Sequence, residues 1–419
     1  MSSPGAIDRA RRVLFISNGH GEDNHSAHVI RRLRELDPSV EIAALPIVGT
    51  GSAYRRVGVP IVGPTREVLP SGGFSYMDRR LLLADIRAGL LGLTWRQFRA
   101  MRRHVRNCDL VHATGDSVGQ SFAWLSGLPY ISFISCLSAL YEGHLRLDPV
   151  MPRLLRSPRC RVVFTRDPFT AEDLRRQGYS KVRFGGIPSL DWIVPEGRDL
   201  ALGPDEPMVG LLPGSRLPEA ERNLTLMLRF VEEVAKRMAT PPAFRAALVP
   251  ALLERLPSLT AAEGWHCEGE RLGKSLGPGL HATILAPRDA FNDIALRATL
   301  VIGMAGLAVD QVVALGKPVI QFAGEGPQFT YAFAEAQDRL LGLCCRTIGH
   351  GPARHEDLVE GARVLEATLT DAAYLERCRD EGRQRLGRPG GSMRIASAVL
   401  EALEESPAHR HRSPVETPS

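Results

Sequence analysis

The sequence predicts an α/β protein made of two successive doubly wound domains, and three observations carry that prediction. Short, near-continuous apolar runs alternate with longer segments of helical period, the pattern of parallel strands buried on both faces. The alternation stops at residues 195–207 (PEGRDLALGPDEP), a stretch rich in Pro, Gly and acid that reads as an interdomain linker, and then restarts. The length, 419 residues, accommodates two large domains at roughly 150 residues or more each.

In the first half, strands are expected at 13–17, 41–45, 109–113, 130–134, 161–165 and 182–185, with helices at 26–36, 118–125 and 170–177. In the second half, strands are expected at 208–212, 244–249, 281–285, 300–302 and 318–322. Helices there are expected at 219–238, 289–298, 307–315, 329–341, 356–369, 372–386 and 393–403. The domains are accordingly 1–195 and 196–405, and the tail 406–419, which has no apolar period, is expected to be disordered.

Composition narrows the class. Hydrophobic residues make up 44% and charged residues 24%, which excludes wholesale disorder. No apolar run approaches the ~20 residues of a membrane span, and the polar start Met1 to Arg12 does not read as a secretory signal. Seven cysteines without an export signal argue against a disulfide framework, and neither CxxC nor HExxH announces a metal site. A cytoplasmic protein is expected.

Residues 1–195 carry 27 basic and 17 acidic side chains (+10), and the remainder carries 25 and 30 (−5). A basic half implies an anionic partner. Aromatics at 6% and the lack of a recognition motif argue against nucleic acid.

In open α/β sheets ligands bind beyond the carboxyl ends of strands, and in a tandem pair the natural place is the interdomain cleft. Five loops follow expected strands. Asn18, Gly19, His20, Gly21, Glu22 and Asp23 place three ionisable groups and two glycines in one turn; Asp23 either faces the cleft or caps the next helix. Asp116, in Thr114-Gly115-Asp116-Ser117, stands where it can remove a proton from a hydroxyl, or caps its helix. Gly214, Ser215 and Arg216 form a turn suited to an anion, with a guanidinium for phosphate. Gly303, Met304, Ala305 and Gly306 allow close ligand approach, and Asp310 or Gln311 one turn on can reach ribose hydroxyls. Gln328, Phe329 and Thr330, in a Gly-Pro loop, offer hydrogen bonds to sugar hydroxyls, while Tyr331 and Phe333 suit a core equally well.

These residues resemble a known family. Leu211 to Arg216, with Glu219 following, is similar to the phosphate loop of lipid-A-disaccharide synthases. Gly185-Gly186-Ile187-Pro188-Ser189-Leu190-Asp191 resembles the Gly-x-Pro-x-x-Asp stretch before their second domain. Gly303–Gly306 and Gly316-Lys317-Pro318 look like the nucleotide-sugar loop shared with the N-acetylglucosaminyl transferase of peptidoglycan synthesis. The segments Gly326–Thr330 and Phe333–Gln337 match the signature of the lipid-A-disaccharide synthase-related group.

The resemblance implies the GT-B fold: two tandem Rossmann-like domains, a UDP-sugar donor as co-substrate in the second, no cofactor or catalytic metal, inverting chemistry, and a last helix that crosses back to the first domain. The sequence departs from the family at its opening loop and at the catalytic-carboxylate motif, where Asp116 alone remains. The expected activity is transfer of an N-acetylglucosamine-type sugar from a UDP-sugar to a lipid-linked or other membrane-associated acceptor, with Asp116 or His20 as base. A UDP-sugar 2-epimerase-like enzyme and a non-catalytic nucleotide-sugar-binding relative remain open.

Residues 79–106 interleave arginines with Leu, Trp and Phe. The segment reads either as two ordinary helices or as a basic amphipathic surface on the inner face of the plasma membrane, with Arg96, Arg99, Arg102 and Arg103 on lipid phosphates.

Overall fold

A computed structural model describes residues 10–65, 90–326 and 329–405. They form two compact units: residues up to Ala139, Gly143–Trp192 and from Pro389 onward make the first, and Leu140–Glu142 with Ile193–Arg388 make the second.

The first unit runs β1 (Arg12–Ser17), α1 (His20–Leu36), β2 (Glu41–Pro46), α2 (Ser52–Arg56), α3 (Leu90–His104), β3 (Leu110–Thr114), α4 (Ser117–Ser126), β4 (Tyr130–Ile134), α5 (Met151–Arg156), β5 (Cys160–Thr165), α6 (Pro168–Arg176) and β6 (Val182–Phe184). The six strands make a wholly parallel sheet in the order β2-β1-β3-β4-β5-β6. Every residue of β3 and β4 is buried, as a strand covered on both faces requires.

The second unit runs β7 (Met208–Leu212), α7 (Glu219–Arg237), β8 (Ala243–Ala246), α8 (Pro250–Leu253), α9 (Leu256–Ala262), β9 (His266–Glu268), β10 (Arg271–Gly277), β11 (Leu280–Leu285) and α10 (Phe291–Arg297). It continues with β12 (Leu300–Gly303), α11 (Leu307–Ala314), β13 (Val319–Ala323), α12 (Tyr331–Leu341), β14 (Cys345–Pro352), α13 (His355–Thr370) and α14 (Ala372–Leu386). Its sheet order is β14-β13-β12-β7-β8-β11-β10-β9. The expectation of a purely parallel sheet needs correction at one edge, where β9, β10 and β11 pair antiparallel. Those edge strands are half-exposed and carry Arg271, Lys274 and His281, so they lack the apolar run that marks a buried strand.

The boundary at 196–405 also needs correction. The last helix, α15 (Gly391–Glu404), belongs to the first unit. Its Ile395, Ala396, Val399 and Leu403 share one core with Val29, Ile30 and Leu33 of α1. Its amino end is held by Asp191, which accepts hydrogen bonds from the Gly390 and Ser392 N–H groups. Arg394 Nε adds a bond to Gly185 O at 2.9 Å. The segment 195–207 is not a free linker: the N–H groups of Glu196, Gly197 and Arg198 donate to the Asp293 carboxylate at 3.1–3.2 Å, and Arg245 donates to Leu200 O and Ala201 O. The expectation for the tail 406–419 falls outside the described residues.

The two sheets position the chemistry in the same way. In the first, the chain leaves β1 for β2 on one side and returns to β3 on the other. In the second, it leaves β7 for β8 and returns to β12. Such a reversal opens a crevice at the carboxyl ends of the two strands that flank it. The turns after β1 and β3, and those after β7 and β12, are therefore the ones to examine.

Candidate functional site

After β1 only Asn18 and Gly19 separate strand from helix. The structure starts α1 six residues earlier than the apolar period suggests, so His20, Gly21, Glu22 and Asp23 form its first turn instead of a loop. Acidic side chains are favoured in a first turn, next to unpaired N–H groups, and no apolar residue there betrays the helix.

Asp23 does not cap. Its carboxyl is buried and accepts from Ser17 Oγ at 2.6 Å; that oxygen lies 2.6 Å from the Tyr54 hydroxyl as well. Burial pushes Asp23 up to about 7, against the Ser17 hydrogen bond. Asp116 does cap: its Oδ1 accepts from the Val118 N–H of α4 at 2.9 Å. Its Oδ2 accepts from the Asn18 side-chain amide at 2.9 Å. Desolvation raises the Asp116 carboxyl above its ordinary range.

Between them lies Glu22, whose carboxylate accepts from the Asn18 backbone N–H at 2.5 Å. Desolvation, then the Asp116 charge, push Glu22 well above the usual carboxylate range. Glu22 packs on Gly115 so closely that a Cβ there would overlap its carboxyl, and Gly115 has φ +119°, so this turn is closed to other residues twice over.

The structure thus gathers Asn18, Glu22, Asp23 and Asp116. His20 lies on the β2 side, exposed, with its ring against Gly49. Residue patterns overlooked Cys136, just after β4, whose thiol is pushed far up by burial and then by Glu22. They also overlooked Arg166, just after β5, and the Ser17–Tyr54 pair. Reading the first residues after every strand, charged or not, finds the first two.

In the second unit, Gly214 (φ +99°) leads the turn between β7 and α7, close to Met304 O. Ser215 is exposed, Arg216 is half-buried, and the Arg216 carbonyl accepts from Ala220 N at 2.9 Å. Helix α7 ties the turns together. Asn223 Nδ2 donates to Pro213 O at 2.9 Å and Met304 O at 3.4 Å, while the buried Glu219 accepts from Phe329 N at 3.2 Å. Gln337 of α12 also holds the Gly303–Gly306 turn, through Ala305 O at 3.2 Å. The family resemblance includes Glu219 and Gln337 but not Asn223, and no local pattern reveals the role of any of the three, because each acts on backbone groups of another loop.

Several residues expected at the donor also serve the fold. Met304 and Phe329 have their side chains in the hydrophobic core, and both backbone groups of Phe329 are used, by Glu219 and by Gly324. A Cβ at Gly303 would press on Val309 and Val319, so its bareness serves strand–helix packing. Gly306 and Thr330 are the N-caps of α11 and α12, Thr330 Oγ1 accepting from Phe333 N at 3.4 Å. Asp310 and Gln311 are both buried, where one inward-facing residue was enough for the expected role. Gln328 lies outside the described residues.

The basic segment is half described: residues 79–89 fall outside, and α3 carries the rest. Leu93, Gln97 and Met101 face inward, and Gln97 Nε2 donates to Ile47 O at 2.9 Å. At 100° per residue, the opposite arc presents Leu91, Trp95, Arg99, Arg103 and Arg96. Leu91 is 66% and Trp95 60% exposed, more than an ordinary solvated helix offers. Arg102 is corrected: its Nη1 donates to Leu125 O at 3.1 Å and Ser126 O at 3.2 Å, satisfying the carboxyl end of α4. Among the described residues no helix is long and apolar enough to cross a membrane. All seven cysteines are free, and no group of three or more His, Cys, Asp or Glu side chains among the described residues has the spacing of a metal site.

Two Rossmann-like units, each with a topological switch point in its sheet, define the GT-B class, and the chain has that fold. No protein-family model matches it. It is related over nearly its whole length to lipid-A-disaccharide synthases: it is 23% identical to that of Geobacter sulfurreducens, with 94% of this chain and 98% of the relative covered. Among solved structures, MurG of Acinetobacter baumannii superposes with a TM-score of 0.57 at 14% identity, covering 93% of this chain and 99% of that one. The UDP-GlcNAc 2-epimerase of Methanocaldococcus jannaschii gives 0.52 at 12% identity, covering 93% and 99%.

Proposed function

We propose that this protein is a glycosyltransferase that moves a sugar, of N-acetylglucosamine type, from a UDP-linked donor to a lipid-linked or otherwise membrane-associated acceptor. The observation that carries the reading is that the two switch points carry unlike turns. The first unit offers a capped, partly desolvated carboxylate, Asp116; the second offers a Gly-Ser-Arg turn braced by Asn223. The relation to lipid-A-disaccharide synthases supports it.

In the mechanism, Asp116 takes the proton of the acceptor hydroxyl as its oxygen attacks the anomeric carbon. The departing diphosphate is met by Arg216 and the N–H groups of the turn, without a metal ion, and attack opposite the leaving group inverts the anomeric centre. Incubation with UDP-N-acetylglucosamine and a membrane lipid extract is expected to release UDP and give a glycosylated lipid, in the presence of EDTA as in its absence. A 2-epimer formed from donor alone would replace this reading with the epimerase one, and binding without turnover would leave a nucleotide-sugar-binding protein.

Arg216→Ala is expected to weaken UDP binding about ten- to a hundredfold, the loss of one charge-assisted hydrogen bond of roughly 1.5–3 kcal/mol. Calorimetry reads it, and unchanged affinity puts the diphosphate elsewhere. For the membrane, the protein is expected to co-sediment with anionic vesicles, less so at high salt. Changing Arg96, Arg99 and Arg103 to Glu should release it, and Trp95→Ala should weaken it. Equal partition to neutral vesicles, or none to either, makes α3 a plain structural helix.

A further inference from the structure

We propose that Glu22 is the positioning partner of Asp116: joined through Asn18, the two carboxyls carry one negative charge between them, and that charge resides on Asp116. This rests on the reading of Asp116 as the base and assigns a role to a residue that the sequence singled out only as part of the neighbouring loop.

The geometry sets the pair apart. Asn18 donates in both directions, its backbone N–H to Glu22 at 2.5 Å and its side-chain amide to Asp116 at 2.9 Å. Gly115 leaves the Glu22 carboxyl no room to withdraw, since even a Cβ there would overlap it. The donors favour Asp116 as the anion. It has three, the Val118 and Gly119 N–H groups and the Asn18 amide, and it sits at the amino end of α4, where a negative charge is stabilised. Glu22 has two, the Asn18 N–H and the weakly donating Cys136 thiol.

The surroundings act on both carboxyls: Asp23 raises Glu22, and Asp148 raises Asp116. Acting on Glu22 or Asp116 are Asp23 of α1, Asp148 before α5 and the Cys136 thiol after β4; Tyr54 of α2 lies within electrostatic reach of Glu22, and Arg166 after β5 acts on Cys136. Two acids of one pair placed in unequal environments separate into a proton holder and an anion, as in carboxyl pairs that work as acid and base. With Glu22 neutral, its remaining hydrogen is available to steady Asp116 or a bound hydroxyl. With Glu22 ionised, two charges face each other across Asn18.

The test needs no acceptor. Full-length protein labelled with carbon-13 at the glutamate carboxyls is titrated by NMR, and Glu22→Gln assigns the Glu22 resonance by its loss. That resonance is expected to titrate well above the other glutamates, and Asp116→Asn is expected to move it to lower pH, because the neighbouring charge is gone. A Glu22 resonance that titrates with the exposed glutamates, or one indifferent to Asp116→Asn, overturns the proposal. Where transfer is measurable, Glu22→Gln should also abolish the alkaline limb of the kcat–pH profile, and an unchanged limb counts against the pair. If the titration behaves as expected but wild-type protein transfers no sugar, the proposed function fails while the carboxyl pair stands.

Discussion

Asparagine in place of Asp116 is expected to lower turnover by about 10²- to 10⁴-fold, the range for loss of a positioned general base, with UDP affinity near the wild-type value. The substitution removes the proton-accepting carboxylate and keeps the cap. Asn is as good an N-cap as Asp, so the bond to Val118 N–H, and with it the start of α4, survives. What is lost is the negative charge, and with it the acceptor for the Asn18 amide. UDP release under initial-rate conditions reads turnover, and calorimetry reads binding. His20→Ala is the companion variant. Its ring packs over Gly49, on the far side of β1 from Asp116, so a small effect is expected. A full-rate Asp116→Asn enzyme beside an inactive His20→Ala enzyme would transfer the role to His20.

The second large effect is on stability and comes from groups buried in the wrong charge state for water. His25 and His112 are buried, and desolvation holds both imidazoles down at about 3; His28 is lowered to about 4, also first by desolvation. Between pH 6.5 and 3 the unfolded chain binds these protons and the native chain does not. Their stabilisation is therefore full above about 6.5 and lost as the pH falls. At pH 4.5 each of the two most buried rings has given up about 3 kcal/mol, on the order of half of a marginal domain's stability.

Asp23 runs in the opposite direction. Its native value of about 7 lies above the unfolded one, so the native state holds a proton that the unfolded chain has released, and stability falls as pH rises from about 4 to 7. Two variants separate the signs. His112→Phe, which keeps a ring beside Phe15, should flatten the acid limb by about 3 kcal/mol at pH 4.5. Asp23→Asn should match wild type near pH 4 and exceed it by up to about 4 kcal/mol at pH 8. Because the chain has two units, amide exchange in β1 and β3 under mild urea is the proper readout. Parallel pH curves for wild type and His112→Phe would mean that His112 is hydrated in the native state.

The fold shows where sequence reasoning has purchase. Fully buried strands such as Tyr130–Ile134 and Met208–Leu212 are apolar except for Ser132, and their limits read directly from the sequence. The edge strand Cys345–Pro352 and the Arg271–Gly277 hairpin arm escape notice, since half-exposed strands alternate weakly and carry charge. The start of α1 is hidden for a related reason: its first turn is polar because it is needed at the site, not in the core.

The sequence alone determined that there are two doubly wound units, and it drew attention to Asn18–Asp23, Asp116 and Gly214–Arg216 as the residues that follow strands. Burial period and strand-end position are local properties, and they survive translation into one dimension. Tertiary structure decided the rest. It gave α15 to the first unit, as the family resemblance implied and the residue pattern did not, because an amphipathic helix records that it has a partner but not which one. It consumed Met304 and Phe329 in the core, turned Arg102 into a cap, and set Glu22 against Gly115 and Asp116. Those outcomes depend on residues 23 to 110 positions apart, and in α1 and α15 more than 350 apart, meeting at hydrogen-bond or van der Waals range, and no local pattern encodes such a meeting.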